Sequence, residues 1–132
     1  LTNGQSAAPK VSVLMTCYNA AATIEESVRS VLAQTFTDFE LVLVDNCSTD
    51  ESISIVQKIA DPRIRIVALD KNHGRTPALN IALNGARGQY IAILDADDTS
   101  TSDRFQLQVD RLDQDSELVL IASWYRNIDS SG

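Results

Sequence analysis

Three aspartates, Asp95, Asp97 and Asp98, directly follow the apolar run of residues 90–94 in the segment YIAILDADDTS. Carboxylates this close together repel one another, and a bound divalent cation would offset that repulsion. Mg²⁺ and Mn²⁺ prefer carboxylate oxygens and keep coordination positions open for water and phosphate. The cluster therefore indicates either a metal site, with Asp97 and Asp98 as ligands and Asp95 as a supporting acid, or a cap for the helix predicted to follow.

Other side chains suited to a nucleotide follow the remaining apolar runs. Tyr18 offers a flat face for a base, and the side chain of Asp45 or Asn46 can hydrogen-bond to the edge of that base. The sequence contains neither a GxGxxG nor a GxxxxGK[ST] phosphate-binding loop. A phosphate would therefore depend on the positive charge of Arg75 and on a cation held by the aspartates.

The elements that must position these residues are short apolar strands alternating with amphipathic helices. Strands are predicted at residues 11–16, 40–45, 63–69, 90–94 and 118–123. Helices with one apolar face are predicted within residues 19–36, 46–60, 76–88 and 102–115.

Sequence signals also mark the predicted helix ends. Two pairs match the capping box at a helix N-terminus: Thr23 with Glu26, and Ser48 with Glu51. In the third helix Pro77 stands near the first turn and Gly88 just past the predicted end, which is the usual asymmetry of these two residue types.

The βαβαβαβαβ order predicts an α/β fold with a mainly parallel sheet and helices on both faces, because strands joined through helices form right-handed crossovers. In such a sheet ligands bind outside the carboxyl ends of the strands. The candidate nucleotide-binding residues all lie at strand ends or in the segments that follow them, and they should share this rim: Thr16, Cys17, Tyr18, Asp45, Asn46, Arg75, Asp95 and Asp97.

Composition narrows the classes of function. The 132 residues carry a formal net charge of −7, which argues against a nucleic-acid surface, since phosphate backbones require clustered Lys and Arg. No apolar run approaches the roughly 18 residues of a spanning helix. The two cysteines are too few for a disulfide scaffold and favour a cytoplasmic protein. Residues 1–9 are expected to form a disordered lead-in to a domain that spans residues 10–132.

Four segments in order resemble the family-two, inverting glycosyltransferases with the GT-A fold, a Rossmann-like nucleotide-diphospho-sugar transferase fold. The similarity covers roughly residues 10–128. Its markers are the segments VSVLMTCYN at 11–19, QTFTDFE at 34–40, VDNCSTD at 44–50 and DADD at 95–98. One such segment would be weak, but four at family-like spacing are specific.

The resemblance implies roles for individual residues. Thr16 and Tyr18 would border the base, with Tyr18 stacking on it, and Asp45 with its neighbour would contact the base edge. Arg75 would lie near the diphosphate, and the acidic segment 95–98 would hold the ribose and a Mg²⁺ or Mn²⁺ ion. The reaction implied is transfer of a sugar from a nucleoside diphosphate to the hydroxyl of a saccharide or lipid-linked acceptor, with inversion, in polysaccharide or glycoconjugate biosynthesis.

Two departures from the family pattern affect these expectations. Asn46 replaces the second acid of the common V-D-D segment, so a UDP-sugar is favoured as donor on weaker grounds. The family usually places its catalytic base further along the chain, so the base is expected beyond residue 132. In the full-length protein the domain could lie peripherally at the inner face of the membrane.

Two alternatives stay open on the sequence alone. The segment from Asp95 to Thr99 fits the D-x-D-x-T pattern of haloacid-dehalogenase-like phosphatases, in which Asp95 would be the nucleophile and Asp97 a general acid. That family carries the motif on its first strand, whereas here it follows the fourth. A non-catalytic nucleotide-binding module would use the same acidic rim without transferring a sugar.

Overall fold

A computed structural model describes residues 8–129 as a four-stranded sheet with helices on both faces. Residues 1–7, most of the predicted lead-in, lie outside the described part. The strands are β1 (Val11–Cys17), β2 (Phe39–Asp45), β3 (Ile64–Ala68) and β4 (Tyr90–Ile93). The helices are α1 (Ile24–Leu32), α2 (Ser52–Ile59), α3 (Arg75–Gly85) and α4 (Arg104–Gln114). Within residues 8–129 no helix combines the length and apolarity needed to cross a membrane.

All three strand pairings in the sheet are parallel, in the spatial order β3-β2-β1-β4. The chain adds β2 and β3 on one side of β1, and α3 then carries it back so that β4 pairs with the other side of β1. Cys17 lies opposite Asp45, and Asp45 opposite Ala68, so the carboxyl ends of three strands are level. The predicted parallel α/β fold is confirmed.

The two faces of the sheet are covered by different helices. One face forms a core with α1, α2 and α4, in which Val28, Val56 and Phe105 are almost completely buried. The other face packs against α3 through Ala78 and Ala82. Small side chains on α3 allow this helix to lie close to the central strands.

The predicted fifth strand at residues 118–123 is wrong within the described chain, since these residues form no regular secondary structure. Val119 is 92% exposed and Leu120 is 77% exposed. The apolar, β-branched composition of this segment indicates only strand propensity, and a strand also needs a neighbour that accepts its backbone hydrogen bonds. β4 remains an edge strand, with the side chains of Ile91 and Ile93 partly exposed.

The capping boxes are also wrong. Thr23 is the residue before α1, but its hydroxyl makes no capping hydrogen bond and instead donates to the carbonyl of Ala20. Glu51, not Ser48, precedes α2, and the carboxylate of Asp50 accepts the N–H of Ser52. The serines and acids of this segment form contacts between loops, which a pattern local to one helix does not reveal.

At the opposite end of the sheet from the predicted site, a polar network joins three segments. The Ser12 hydroxyl donates to Glu40 at 2.7 Å and accepts the N–H groups of Arg87 and Gly88 at 3.1 and 2.8 Å. The Arg87 guanidinium also donates to Glu40 at 2.7 Å. Burial raises the pKa of Glu40, but the hydrogen bonds from Arg87 and Ser12 outweigh it, and the pKa lies below its usual value.

The predicted role of Gly88 at the end of the third helix is wrong. Gly88 does not cap α3, because α3 ends three residues earlier and Gly88 lies against β1.

Candidate nucleotide-binding site

An open cleft of about 550 Å³ lies at the carboxyl ends of β1 and β4. These two strands are neighbours, and β2 and β3 lie on one side of β1 whereas β4 lies on the other. The cleft is therefore at the point where the strand order reverses, which is where open α/β sheets bind ligands. It is lined by Thr16, Cys17, Tyr18, Asn19, Ala20, Thr23, Asn46, Asn72, Gly74, Arg75, Asp95, Ala96 and Asp97.

The loop after β1 is held by side chains of the loop after β2 and of the first residue of α2. The backbone N–H groups of residues 19, 20 and 21 donate to Ser48, Ser52 and Asp50, at distances of 3.0, 2.8 and 3.0 Å. Asn19, which has a φ of 51°, accepts the N–H of Thr49 at 2.8 Å. These three N–H groups are bonded within the protein and are therefore not available to a phosphate. This fits the absence of a glycine-rich phosphate loop in the sequence.

Cys17 and Asp45 lie side by side at the carboxyl ends of β1 and β2, where Cys17 lines the cleft. The Cys17 thiol donates to Oδ1 of Asp45 at 3.6 Å, and the same oxygen accepts the N–H of Ser48 at 3.1 Å. Burial, together with the Asp45 carboxylate, raises the pKa of the Cys17 thiol to about 12. The thiol therefore stays protonated and helps to fix the orientation of Asp45.

We expect thiol reagents to distinguish the two cysteines of the folded protein. At pH 7 a thiol with this pKa is a thiolate in only about one molecule in 100,000, and Cys17 is also buried, so it should react extremely slowly. Cys47 is partly exposed and should react first. Mass spectrometry after a short maleimide treatment should show one added label, which disappears in the Cys47→Ser variant and persists in Cys17→Ser. Equal labelling of both thiols would contradict this.

Asn46 lies in the cleft lining but uses both ends of its amide within the protein. Its Oδ1 accepts the backbone N–H of His73 at 2.9 Å, and its Nδ2 donates to Oδ1 of Asn72 at 3.0 Å. The side chain is almost completely buried, with 3% exposure. Asn46 thus connects the end of β2 to the loop that leads into α3.

Arg75 is the first residue of α3 and faces the acidic segment after β4. Its guanidinium lies 2.6 Å from Oδ1 of Asp95, and this hydrogen bond keeps the pKa of Arg75 above its usual value. The helix has no side-chain cap and no acidic residue in its first turn. The N–H groups and positive dipole end of α3 therefore add to the charge of Arg75, an arrangement that suits an anion.

The acidic segment forms a turn in which the N–H of Asp98 donates to the carbonyl of Asp95 at 3.2 Å. Asp95 and Asp97 line the cleft, whereas Asp98 does not. No group of three or more candidate metal ligands is found within residues 8–129. The two predicted ligands, Asp97 and Asp98, supply carboxylate oxygens that fit Mg²⁺ or Mn²⁺ when phosphate and water oxygens complete the coordination. Proteins commonly hold these ions beside nucleotides in this way.

The structure brings seven of the eight predicted nucleotide-binding residues into the lining of one cleft, and Asp45 lies directly behind Cys17. Six further residues line the cleft although they were not predicted to bind the nucleotide: Asn19, Ala20, Thr23, Asn72, Gly74 and Ala96. The sequence does place Gly74 directly before Arg75 and the predicted helix at residues 76–88, which is the signal that could have singled it out. Gly74 has a φ of 85°, a backbone conformation that favours glycine.

Comparisons with known proteins point in one direction. Residues 12–132 match the family model described as glycosyl transferase family 2. The succinoglycan biosynthesis protein ExoO of Rhizobium meliloti is 43% identical over 105 residues, which cover 80% of this chain and 30% of that protein. S. aureus TarS in complex with UDP-GlcNAc matches with a TM-score of 0.77 and 31% identity, over 80% of this chain and 31% of that chain. The mannosyltransferase PcManGT from Pyrobaculum calidifontis, in complex with GDP-Man and Mn²⁺, matches with a TM-score of 0.73 and 32% identity, over 81% of this chain and 33% of that chain.

The chain thus spans roughly a third of the length of these relatives. The matches agree with the parallel α/β fold and with the motifs at the strand ends. They give no support to the phosphatase alternative. In the structure Asp95 follows β4, not the first strand, and is engaged by Arg75.

Proposed function

Because the chain belongs to glycosyl transferase family 2, we propose that its cleft binds the nucleoside diphosphate portion of a nucleotide-sugar donor together with Mg²⁺ or Mn²⁺. The observation that carries the proposal is the placement of an aromatic face, a cationic helix N-terminus and two carboxylates around one cleft at the switch point of the sheet. Each of these features fits a different part of such a ligand.

The base would stack on Tyr18, whose side chain lines the cleft and is 51% exposed. Asp45 already uses Oδ1 for Cys17 and Ser48, so its Oδ2 would accept an N–H from the base edge. A carboxylate acceptor suits the ring N–H of uracil, thymine or guanine and rejects a base that presents only an acceptor there. Thr16 borders the same end of the cleft.

The diphosphate would lie between Arg75 at the N-terminus of α3 and the carboxylates after β4. Asp97 would hold the cation, with Asp98 as a second ligand from the same turn, while Asp95 would support Arg75 and meet the ribose. When bound, the cation offsets the negative charge that develops on the departing diphosphate. For the whole protein, we propose inverting transfer of the sugar to the hydroxyl of a saccharide or lipid-linked acceptor, in the cytoplasm.

Calorimetric titration of the chain with UDP, GDP and dTDP, each with and without Mn²⁺, tests this proposal. We expect binding that depends on Mn²⁺, and weaker binding of the matching monophosphates, because a monophosphate offers the cation and Arg75 fewer oxygens. The ranking of the three diphosphates identifies the preferred base. Failure of all three to bind with Mn²⁺, or affinity that is the same with and without it, would reject the proposal.

A further inference from the structure

The amide of Asn46 forms a connection between β2 and the loop before α3 that the base-edge role does not explain. The contact pairs two residues 26 positions apart, Asn46 and Asn72, and includes the backbone of the residue after Asn72. Asn72 then continues the connection, because its Oδ1 accepts the N–H of Gly74 at 2.8 Å. The chain reaches Arg75 at the next residue.

Two backbone donors determine which way both amides face. Only an oxygen can accept the N–H of His73, so Asn46 must present its Oδ1 there and its NH₂ group to Asn72. Only an oxygen can accept the N–H of Gly74, so Asn72 must present its Oδ1 to both Gly74 and Asn46. The arrangement therefore requires a hydrogen-bond donor at position 46, and a carboxylate there could not supply it.

The connection ends at the group that the proposed function uses for the diphosphate. Gly74 precedes α3 with a φ of 85°, so its conformation sets where the helix begins and where Arg75 lies relative to Asp95. If Gly74 loses its acceptor, the first turn of α3 loses a fixed position. We propose that Asn46 is a positioning residue for the diphosphate, acting through Asn72 and Gly74 on Arg75 and the α3 N-terminus, and not a reader of the base. This inference rests on the proposed function of the cleft.

Two isosteric substitutions in one hydrogen bond test the inference. Asn46→Asp removes the donor, so Asn72 must either face the new carboxylate with its own oxygen or turn its NH₂ group toward that carboxylate and release the N–H of Gly74. Asn72→Asp adds the same charge but keeps an oxygen that accepts from both Asn46 and Gly74, and it is the matched control.

We expect Asn46→Asp to weaken binding of UDP, GDP and dTDP with Mn²⁺ by the same factor, about tenfold or more, relative to Asn72→Asp. The ranking of the bases should not change, because the lost contact acts on the phosphate end. A changed ranking in Asn46→Asp alone would overturn the inference and return Asn46 to the base edge. Equal losses in the two variants would also overturn it, since only the added charge would then matter.

Amide hydrogen exchange gives a reading that does not depend on a nucleotide. In Asn46→Asp the N–H of Gly74 should exchange about tenfold faster or more, whereas in Asn72→Asp its protection should remain. Unchanged exchange at Gly74 in Asn46→Asp would refute the connection itself. Failure of the unaltered chain to bind any diphosphate would instead reject the proposed function, and the exchange data would still decide whether Asn46 holds the loop.

Discussion

Replacing Asp97 with alanine is expected to abolish the Mn²⁺-dependent part of nucleoside diphosphate binding and to leave the chain folded. Asp97 is exposed in the turn after β4 and lines the cleft, so its removal disturbs no core. Asp95 is already engaged by Arg75 at 2.6 Å, which leaves Asp97 as the cleft carboxylate best able to hold a cation. Loss of an outer-shell partner of a metal typically lowers the metal affinity about 10–100-fold. Loss of a direct ligand should therefore weaken UDP binding in the presence of Mn²⁺ by about a hundredfold or more.

The measurement is calorimetry of UDP with and without Mn²⁺, together with circular dichroism to confirm the fold. Asp103→Ala is the matched control, because Asp103 is an exposed aspartate that precedes α4 without a side-chain capping bond. Asp98→Ala tests the second predicted ligand, and a smaller loss than in Asp97→Ala would agree with its position outside the cleft lining. Unchanged Mn²⁺-dependent binding in Asp97→Ala would show that the acidic cluster serves the turn and the helix that follows it.

The general layout of the site could be predicted because it follows from the order of the elements. Parallel strands share one rim, so residues that end different strands, such as Cys17 and Asp45, must lie close together once β1 and β2 are paired. The apolar runs and the helical periodicity were strong enough to locate every strand and helix that the described structure contains. The acidic cluster could then be placed opposite the end of β1 without any knowledge of side-chain contacts.

The parts that could not be predicted depend on contacts between distant segments. The sequence predicts Asn46 at the base edge, and its position at the end of β2 does not reveal that Asn72 approaches its amide. Ser48 was assigned to a helix cap, yet its hydroxyl accepts the N–H of Asn19 across the neighbouring loop. A strand at residues 118–123 required a partner that the described chain does not provide. Local patterns indicate what a segment can form, whereas the structure decides which neighbour it meets.

Gly88 illustrates the same limit at the other end of the sheet, and its replacement by alanine should strongly destabilise the fold. A Cβ atom at this position would lie 2.4 Å from the backbone nitrogen of Ser12 and 2.7 Å from the carbonyl carbon of Val11. Both atoms belong to the backbone of the central strand β1, which cannot move aside as a flexible side chain could. The requirement at position 88 is therefore space, and the chain would have to shift away from β1.

That shift would also damage the polar network that Gly88 helps to form. The Ser12 hydroxyl accepts the N–H groups of both Arg87 and Gly88 and donates to the buried Glu40, so moving the segment would leave buried polar groups without partners. Overpacking and the lost hydrogen bonds together should lower the free energy of unfolding by about 3 kcal/mol or more. β4 begins two residues later, and its pairing with β1 would be strained as well.

Urea denaturation of Gly88→Ala and Gly85→Ala would measure this effect against a matched control. The three atoms nearest to a Cβ atom at Gly85 would all belong to the guanidinium of Arg65, the closest at 2.9 Å, and that flexible side chain can move aside. Alanine also favours a helix over glycine by roughly 0.5–1 kcal/mol, so Gly85→Ala should change the stability little. The midpoint of unfolding should therefore fall sharply in Gly88→Ala alone, with a similar slope in both variants. Equal midpoints in the two variants would show that β1 tolerates a side chain at position 88, and that the close approach of the two segments does not stabilise the sheet.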